Sequence, residues 1–328
     1  TTGAQDITFS GNSDLAPDWL WFKARIASNH FLFDKVRGVL KTISSDDATA
    51  EVTSTGSMTA FGTDGFSLGD GGSDNDINGV SGTTYVAWGW AAGNSAGSSN
   101  SDGSITSTVT ANTTAGFSIV KYTGTKSNAT IGHGLGVVPK MIMIKDTTNA
   151  ESWIVYHEGV GNDGNLYLNL TNAKATQAVF QDTTPTSSVF SIGTTDGVNK
   201  ASAVHVAYCF AEVEGYSSFG GYTGNGSTDG AFVYTGFSPA FIMYKVTSTT
   251  DSWEMYDTQR RTINPYGTQL KANLSNAETD DTRIDILSNG FKARSTNTAV
   301  NASGATYIYM AFAENPFGGD GAAPATAR

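Results

Sequence analysis

Apolar and polar residues alternate along most of this chain in runs of five to seven, separated by clusters of Gly, Asn, Ser, Thr and Asp. A period of two predicts half-buried β-strands joined by turns. No stripe of helical period competes, although residues 48–55 and 172–180 hold enough Ala, Glu and Gln for a helical turn of marginal length. The predicted fold class is all-β.

The strands recur. Three prolines each precede an apolar strand that ends in Lys six residues later, at Pro17 and Lys23, Pro139 and Lys145, and Pro239 and Lys245. A second strand follows each at 29–34, 152–157 and 252–257. A Leu-containing strand then runs into a polar turn at 40–48, 166–175 and 270–277. Short strands at 65–68, 189–192 and 290–293 and closing strands at 85–90, 205–210 and 307–312 complete the unit. A lead-in strand precedes two of the prolines, at 116–124 and 215–224, and residues 6–11 read as a shorter first copy. Pro139 and Pro239 are 100 residues apart, so the chain reads as three tandem β-sandwich or jelly-roll-like repeats. The expected boundaries are 1–90, a Ser/Gly/Asn-rich linker at 91–114, then 115–214 and 215–317, with a flexible tail at 318–328. Propeller blades are shorter and more numerous than these units.

Composition narrows the function. Of 328 residues only 49 are charged, with a net charge of -11, so ion pairs are expected to contribute little. An acidic chain without a Lys/Arg run has no electrostatic footprint for nucleic acid or anionic membrane. No apolar run approaches the roughly 20 residues of a membrane helix. The single Cys209 has no intrachain partner, and between Tyr208 and Phe210 it reads as buried packing. The start at Thr1 is compatible with processing or with a fragment.

Catalytic chemistry is hard to find. The four histidines, His30, His133, His157 and His205, lack metal-ligand spacing. His30 aligns with Trp153 and Trp253 and reads as a replacement for an aromatic; His133 reads as a turn residue bonding backbone. Gly93-Asn94-Ser95-Ala96-Gly97 matches a nucleophile elbow only as a string, and the Gly-rich 132–136 stretch leads into a strand, not a helix. Asp34 with Arg37 and Asp257 with Arg260 repeat one spacing and read as structural anchors. The acidic loop 69–79 places Asp70, Asp74 and Asp76 as hard oxygen ligands for calcium, against the simpler reading of a solvated turn. No catalytic residue and no other cofactor is predicted.

Tryptophans are the remaining candidates, since sugar rings stack on indole. Trp19 and Trp21 share a strand face, as do Trp88 and Trp90, and apolar residues stand at every equivalent position, which favours core. The second strands are apolar on both faces: Trp153 and Val155 on one, Ile154 and Tyr156 on the other. A third layer, contact between units or a subunit interface must cover them. A homo-oligomer follows from the last of these, with a trimer as the first expectation.

The strings Gly132-His133-Gly134-Leu135-Gly136-Val137-Val138-Pro139-Lys140-Met141, Tyr222-Thr223-Gly224-Asn225-Gly226-Ser227, Asn301-Ala302-Ser303-Gly304 and Ala311-Phe312-Ala313-Glu314-Asn315-Pro316-Phe317 carry a further reading. On these residues the chain resembles bacteriophage virion proteins, especially tail-fibre-like proteins of marine and cyanobacterial phages. The resemblance implies a lectin-like, non-enzymatic virion component, on the exterior of the particle. Its partners would be other virion subunits and a host-surface glycan. A purely architectural capsid or tail decoration protein is the alternative, and a polysaccharide depolymerase the third. The first unit lacks the Gly-His-Gly-Leu-Gly turn before its proline, so the units are not expected to bind alike.

Overall fold

Alternating side chains sort onto the two faces of each strand, one toward a core common to the whole chain and one toward a separate core, and that sorting organises the whole molecule. The computed structural model describes residues 3–11, 14–71 and 77–313. It is all-β, with one helical turn at Asp196–Asn199. The strands Trp19–Ala24, Met141–Asp146 and Pro239–Val246 each pair antiparallel with the strand that follows, His30–Asp34, Ile154–His157 or Glu254–Asp257. On the other side they pair with Tyr85–Trp90, Val204–Phe210 or Thr306–Ala313. The registers correspond: Trp21 lies opposite Leu32 and Trp88, Met143 opposite Val155 and Tyr208, Met243 opposite Met255 and Met310.

Successive residues of a strand point to opposite faces. Trp19, Trp21, Met141, Met143, Phe241 and Met243 therefore meet in one common core, to which all three segments contribute. Their neighbours turn the other way into three separate cores: Leu20 and Phe22 in the first, Ile142 and Ile144 in the second, Ile242 and Tyr244 in the third. Each separate core is closed by outer strands. Gln5–Thr8 pairs with Gly65–Leu68, Ala129–Gly132 with Val189–Ile192, and Phe232–Tyr234 with Gly290–Ala293. Phe66, Phe190 and Phe291 enter the three cores from equivalent positions. Gly65 and Gly290 open their strands with φ of +124° and +159°, and a Cβ there would fall 1.9 and 2.0 Å from the carbonyl oxygens of Ile7 and Val233. The second unit opens the same strand at Val189.

This arrangement answers what covers the two-faced strands. Trp153 and Val155 lie in the common core and Ile154 and Tyr156 in the second unit's own. Contact between units within one chain supplies the cover, so those faces need no second subunit. Each large side chain so buried contributes about 1.5–3 kcal/mol relative to water.

Polar groups close the joints in a cycle. Trp153 Nε1 donates to the Ser44 carbonyl at 2.7 Å and Trp253 Nε1 to the Tyr167 carbonyl at 2.8 Å. His30, at the matching place, has its Nε2 3.0 Å from the Lys271 carbonyl. Its Nδ1 accepts from Trp21 Nε1 at 2.8 Å, which leaves the proton on Nε2 to donate across the joint. A second cycle uses the following strand end. Asp34 accepts from the Tyr208 hydroxyl at 2.7 Å and Asp257 from Trp88 Nε1 at 3.1 Å. At the third joint the facing residue is Met310, which has no donor. There His157 stands in place of Asp and reaches the Tyr309 carbonyl, its Nε2 lying 3.1 Å away. Where Asp is used, Arg37 or Arg260 pairs with it at 2.5 or 2.6 Å; beside His157 that place is held by Val160. The chain has few charges, and two of its ion pairs, Arg37 with Asp34 and Arg260 with Asp257, are buried at these joints.

The recurrent lysine has a related task. Lys145 Nζ donates to the carbonyls of Asp146 and Glu151 at 2.9 Å and of Ala48, across the joint, at 3.1 Å. Lys245 reaches Thr171 across the next joint at 3.3 Å, while Lys23 stays within its own unit on Ala24 and Ile26. Burial draws all three ammonium groups down to about 8. Lys145→Met is expected to cost about 2 kcal/mol, because buried carbonyls lose their donor while the aliphatic stem is kept. Urea unfolding at pH 7 checks this; an unchanged midpoint would count against the role.

Three expectations are corrected. Residues 91–114 are not a linker: Ser98–Asn100 and Ser107–Asn112 extend the second segment's sheet to seven strands, with Val109 opposite Val120. Thr and Ser side chains suit a pleated surface whose hydrogen bonds are made by backbone, so low apolar content concealed the strands. Gln5–Thr8 is not the lead-in strand, because it pairs with Gly65–Leu68 as Ala129–Gly132 does with Val189–Ile192. No helix forms at 48–55 or 172–180.

Candidate functional site

Most residues singled out from the sequence lie inside the molecule. Trp19, Trp21, Trp88, Trp90, Trp153 and Trp253 are all buried, so none stands on the surface as an open platform for a sugar, although Trp88 and Trp90 line a cavity. Their stacking is with one another and with Tyr208, Phe210 and Phe241. The four histidines are also buried, in four separate places, each with a ring nitrogen near a backbone carbonyl. Desolvation holds them neutral: His30 is drawn down to about 3 and His157 to about 4, and His133 and His205 are lowered too. Burial pushes the Cys209 thiol up, which leaves it a packing residue beside Ser118.

Of the calcium candidates, Asp70 lies on an exposed turn, while Asp74 and Asp76 fall outside the described residues. Among the described residues no three His, Cys, Asp or Glu side chains come together as a metal site.

What the sequence reading missed is the outward face of the third outer sheet. Strand Phe232–Tyr234 turns Val233 inward, and period two then turns Phe232 and Tyr234 out, 47% and 60% exposed. Phe232 lies opposite Lys292, which lies opposite Asp285, so an aromatic, a cation and a carboxylate form one row across three strands. Beside the row is a cleft of 490 Å³ lined by Thr228, Asp229, Asn264, Pro265, Thr282, Asp285 and Arg294. Lys292 pairs with Asp229 at 2.5 Å and Arg294 with Asp285 at 3.3 Å. The Lys292 hydrogen bond holds the Asp229 carboxyl below its usual range.

The equivalent positions in the other units are unlike it. Phe232 corresponds by register to Thr130 and Asp6, Tyr234 to Gly132 and Thr8, and Lys292 to Ser191 and Ser67. Among the described residues of the three outer sheets, only the third offers exposed flat apolar rings in a polar surround, the combination that takes a sugar's C–H face and its hydroxyls together. The signal in the sequence was Ala231-Phe232-Val233-Tyr234, which reads as one more apolar strand until its pairing shows which residues face out.

A second cavity, of 530 Å³, runs along strand Tyr85–Trp90 between Phe9 and Leu15 on one side and Phe241 and Phe312 on the other. Its lining is mostly apolar, with Asp14, Asn112, Asp257, Thr258 and Gln259 among the residues that border it. Unlike the outer cleft it borders a strand edge.

A protein-family model described as a domain of unknown function (DUF7483) matches residues 2–316. No curated protein and no solved structure matches the chain.

Proposed function

We propose, for a chain that belongs to the DUF7483 family, a non-enzymatic virion protein of the tail-fibre type that attaches to host-surface glycans through the outer sheet of its third unit. The observation that carries the binding site is the exposed pair Phe232 and Tyr234 beside Lys292, Asp285 and the polar cleft. The virion assignment rests on the resemblance of the strings around Pro139, Tyr222 and Asn301 to phage proteins. Both carboxylates at the cleft are engaged by cations, and Asp229 is held ionised, a poor arrangement for the protonated acid that glycoside hydrolysis needs.

The reading is tested on a glycan array and on host cells with the full chain. Wild type should bind a restricted set of glycans, and Tyr234→Ala should weaken binding several-fold, up to about tenfold, in line with roughly 0.5–1.5 kcal/mol for a stacked ring. Thr130→Ala, at the position of the second unit that corresponds to Phe232, should bind as wild type. Equal binding by the Tyr234→Ala and wild-type proteins removes the site. Shortening of the polymer on incubation moves the function to a depolymerase, and no binding to any glycan favours the architectural role.

A further inference from the structure

We propose that the outer edge of strand Tyr85–Trp90 is an acceptor for an antiparallel β-strand of a different polypeptide, not a second copy of this chain, with the residue pattern of the two strands that occupy this place in the second and third units. In the second unit Phe117–Thr123 pairs with Val204–Phe210, running from Phe117 opposite Phe210 to Thr123 opposite Val204. In the third, Ser217–Thr223 pairs with Thr306–Ala313 in the same sense, from Ser217 opposite Phe312 to Thr223 opposite Thr306. Tyr85–Trp90 is the corresponding strand of the first unit, and it ends a three-stranded sheet. Among the described residues no strand pairs with its outer edge, and Gln5–Thr8 is used in the outer sheet instead.

The edge is ready for pairing. Arg25 N donates to the Thr84 carbonyl, which sets the parity of the ladder: Val86 and Trp88 turn their backbone groups toward Trp19–Ala24. Those of Ala87 and Gly89 turn to the open side. His205 to Phe210 are buried under the neighbouring strand, whereas Val86, Ala87 and Gly89 are only half-buried. The 530 Å³ cavity lies along this edge, between Trp90 and Phe312 on the common-core side and Phe9 on the other.

The third boundary of the slot also matches. In the second unit the strand rests on its neighbour's loop, with Lys121 Nζ donating to the Val36 carbonyl at 3.0 Å. In the third it rests on the loop at Gly159, which packs against the Gly220 carbonyl. Val36 and Gly159 each lie two residues beyond the strand-end residue Asp34 or His157; beyond Asp257 that residue is Gln259, which lines the cavity. A strand placed here would meet the same three surfaces as its sisters. Among the described residues the outward backbone groups of Ala87 and Gly89 meet no strand, and such an edge is a template for strand addition.

The sister strands define the chemistry of the occupant. Phe117 and Ile119, or Phe219, enter the common core. Tyr122 and Tyr222 turn the other way, their hydroxyls on the Val198 and Val300 carbonyls, and Thr-Gly follows each. The slot therefore takes an extended strand with apolar residues at alternate positions that closes on Tyr-Thr-Gly.

The test adds fluorescent peptides copying residues 116–124 and 215–224 to the full chain and follows anisotropy. At least one should bind saturably and at least tenfold tighter than its scrambled version. Proline in place of Val120 in the first peptide should abolish binding, since Val120 lies opposite Ala207 and its amide faces the ladder. On the protein side, Ala87→Pro removes an amide from the open edge and leaves the pairing with Trp19–Ala24 in place. If that variant fails to fold, the proline-containing peptide still decides the matter. Failure of both peptides, equal binding of scrambled peptide, or undiminished binding to folded Ala87→Pro overturns the proposal. Self-association of the full chain that the peptides compete away assigns the slot to a second copy and overturns it as well.

Discussion

Lowering the pH from 7 to 4.5 is expected to reduce the unfolding free energy by about 3 kcal/mol. All four histidines are buried and held neutral, with His157 titrating near 4 and His30 near 3 in the folded chain. An unfolded histidine takes its proton near pH 6.5. Their stabilisation is fully present above that pH and is lost as the pH falls from there toward the folded values, because the unfolded state binds more protons in that window. Two carboxyls act in the opposite sense. Desolvation raises Asp46 to about 6 and raises Glu254, so the folded chain takes up protons there early. His30 and His157 against Asp46 leave about one proton of excess in the unfolded state, or about 1.4 kcal/mol per pH unit, to which the lowered His133 and His205 add and from which the raised Glu254 subtracts. Urea unfolding at pH 7, 6, 5 and 4.5 measures the slope. His157→Gln, which can still donate to the Tyr309 carbonyl, should remove about 2 kcal/mol of the loss between pH 6 and 4.5. A stability independent of pH across this range, or the same slope in the variant, would refute the account.

Trp19→Ala is expected to cost about 4–5 kcal/mol, near the upper end for a buried aromatic. Trp19 is fully buried and stacks on Tyr208 with centroids 4.6 Å apart, and it lies as close to Trp90. It thus joins the first unit to the second, and the cavity left by its loss opens between two sheets that cannot collapse independently. The contrast with Trp19→Phe is more informative. Among the described residues the Trp19 Nε1 has no hydrogen-bond partner, so Phe loses packing volume but no bond, at a cost of about 1 kcal/mol. Trp88→Phe is different because Trp88 Nε1 donates to Asp257, beside Arg260. Removing a donor to a buried carboxylate should make it about 1–2 kcal/mol worse than Trp19→Phe. Thermal and chemical unfolding of the three variants decides it, and equal losses for the two Phe variants would show that the joint hydrogen bond contributes nothing.

Much of the fold was legible because it is written locally. The spacing from Pro to Lys marks the strands Trp19–Ala24, Met141–Asp146 and Pro239–Val246, and alternation assigns each residue to one of two faces. The placing of His30 with Trp153 and Trp253 was readable from alignment of the units alone, and the three side chains share one task across the joints. The candidate site was not legible in the same way. Phe232 and Tyr234 look like any other strand residues, and Asp74 and Asp76 remain outside the described residues.

The sequence by itself determined the all-β class, the recurrence of strand types and which side chains share a face, since these follow from the two-residue period of a strand and from turn residues next to it. Only the tertiary structure decided which face looks toward the common core, that the Ser- and Thr-rich stretch after Trp90 pairs as strands, and that among the described residues no strand lies on the first unit's edge where its sisters are filled. Those outcomes depend on pairing between residues far apart in the chain. Backbone hydrogen bonds form the ladders with little regard to side-chain identity, so composition does not report which edges they join.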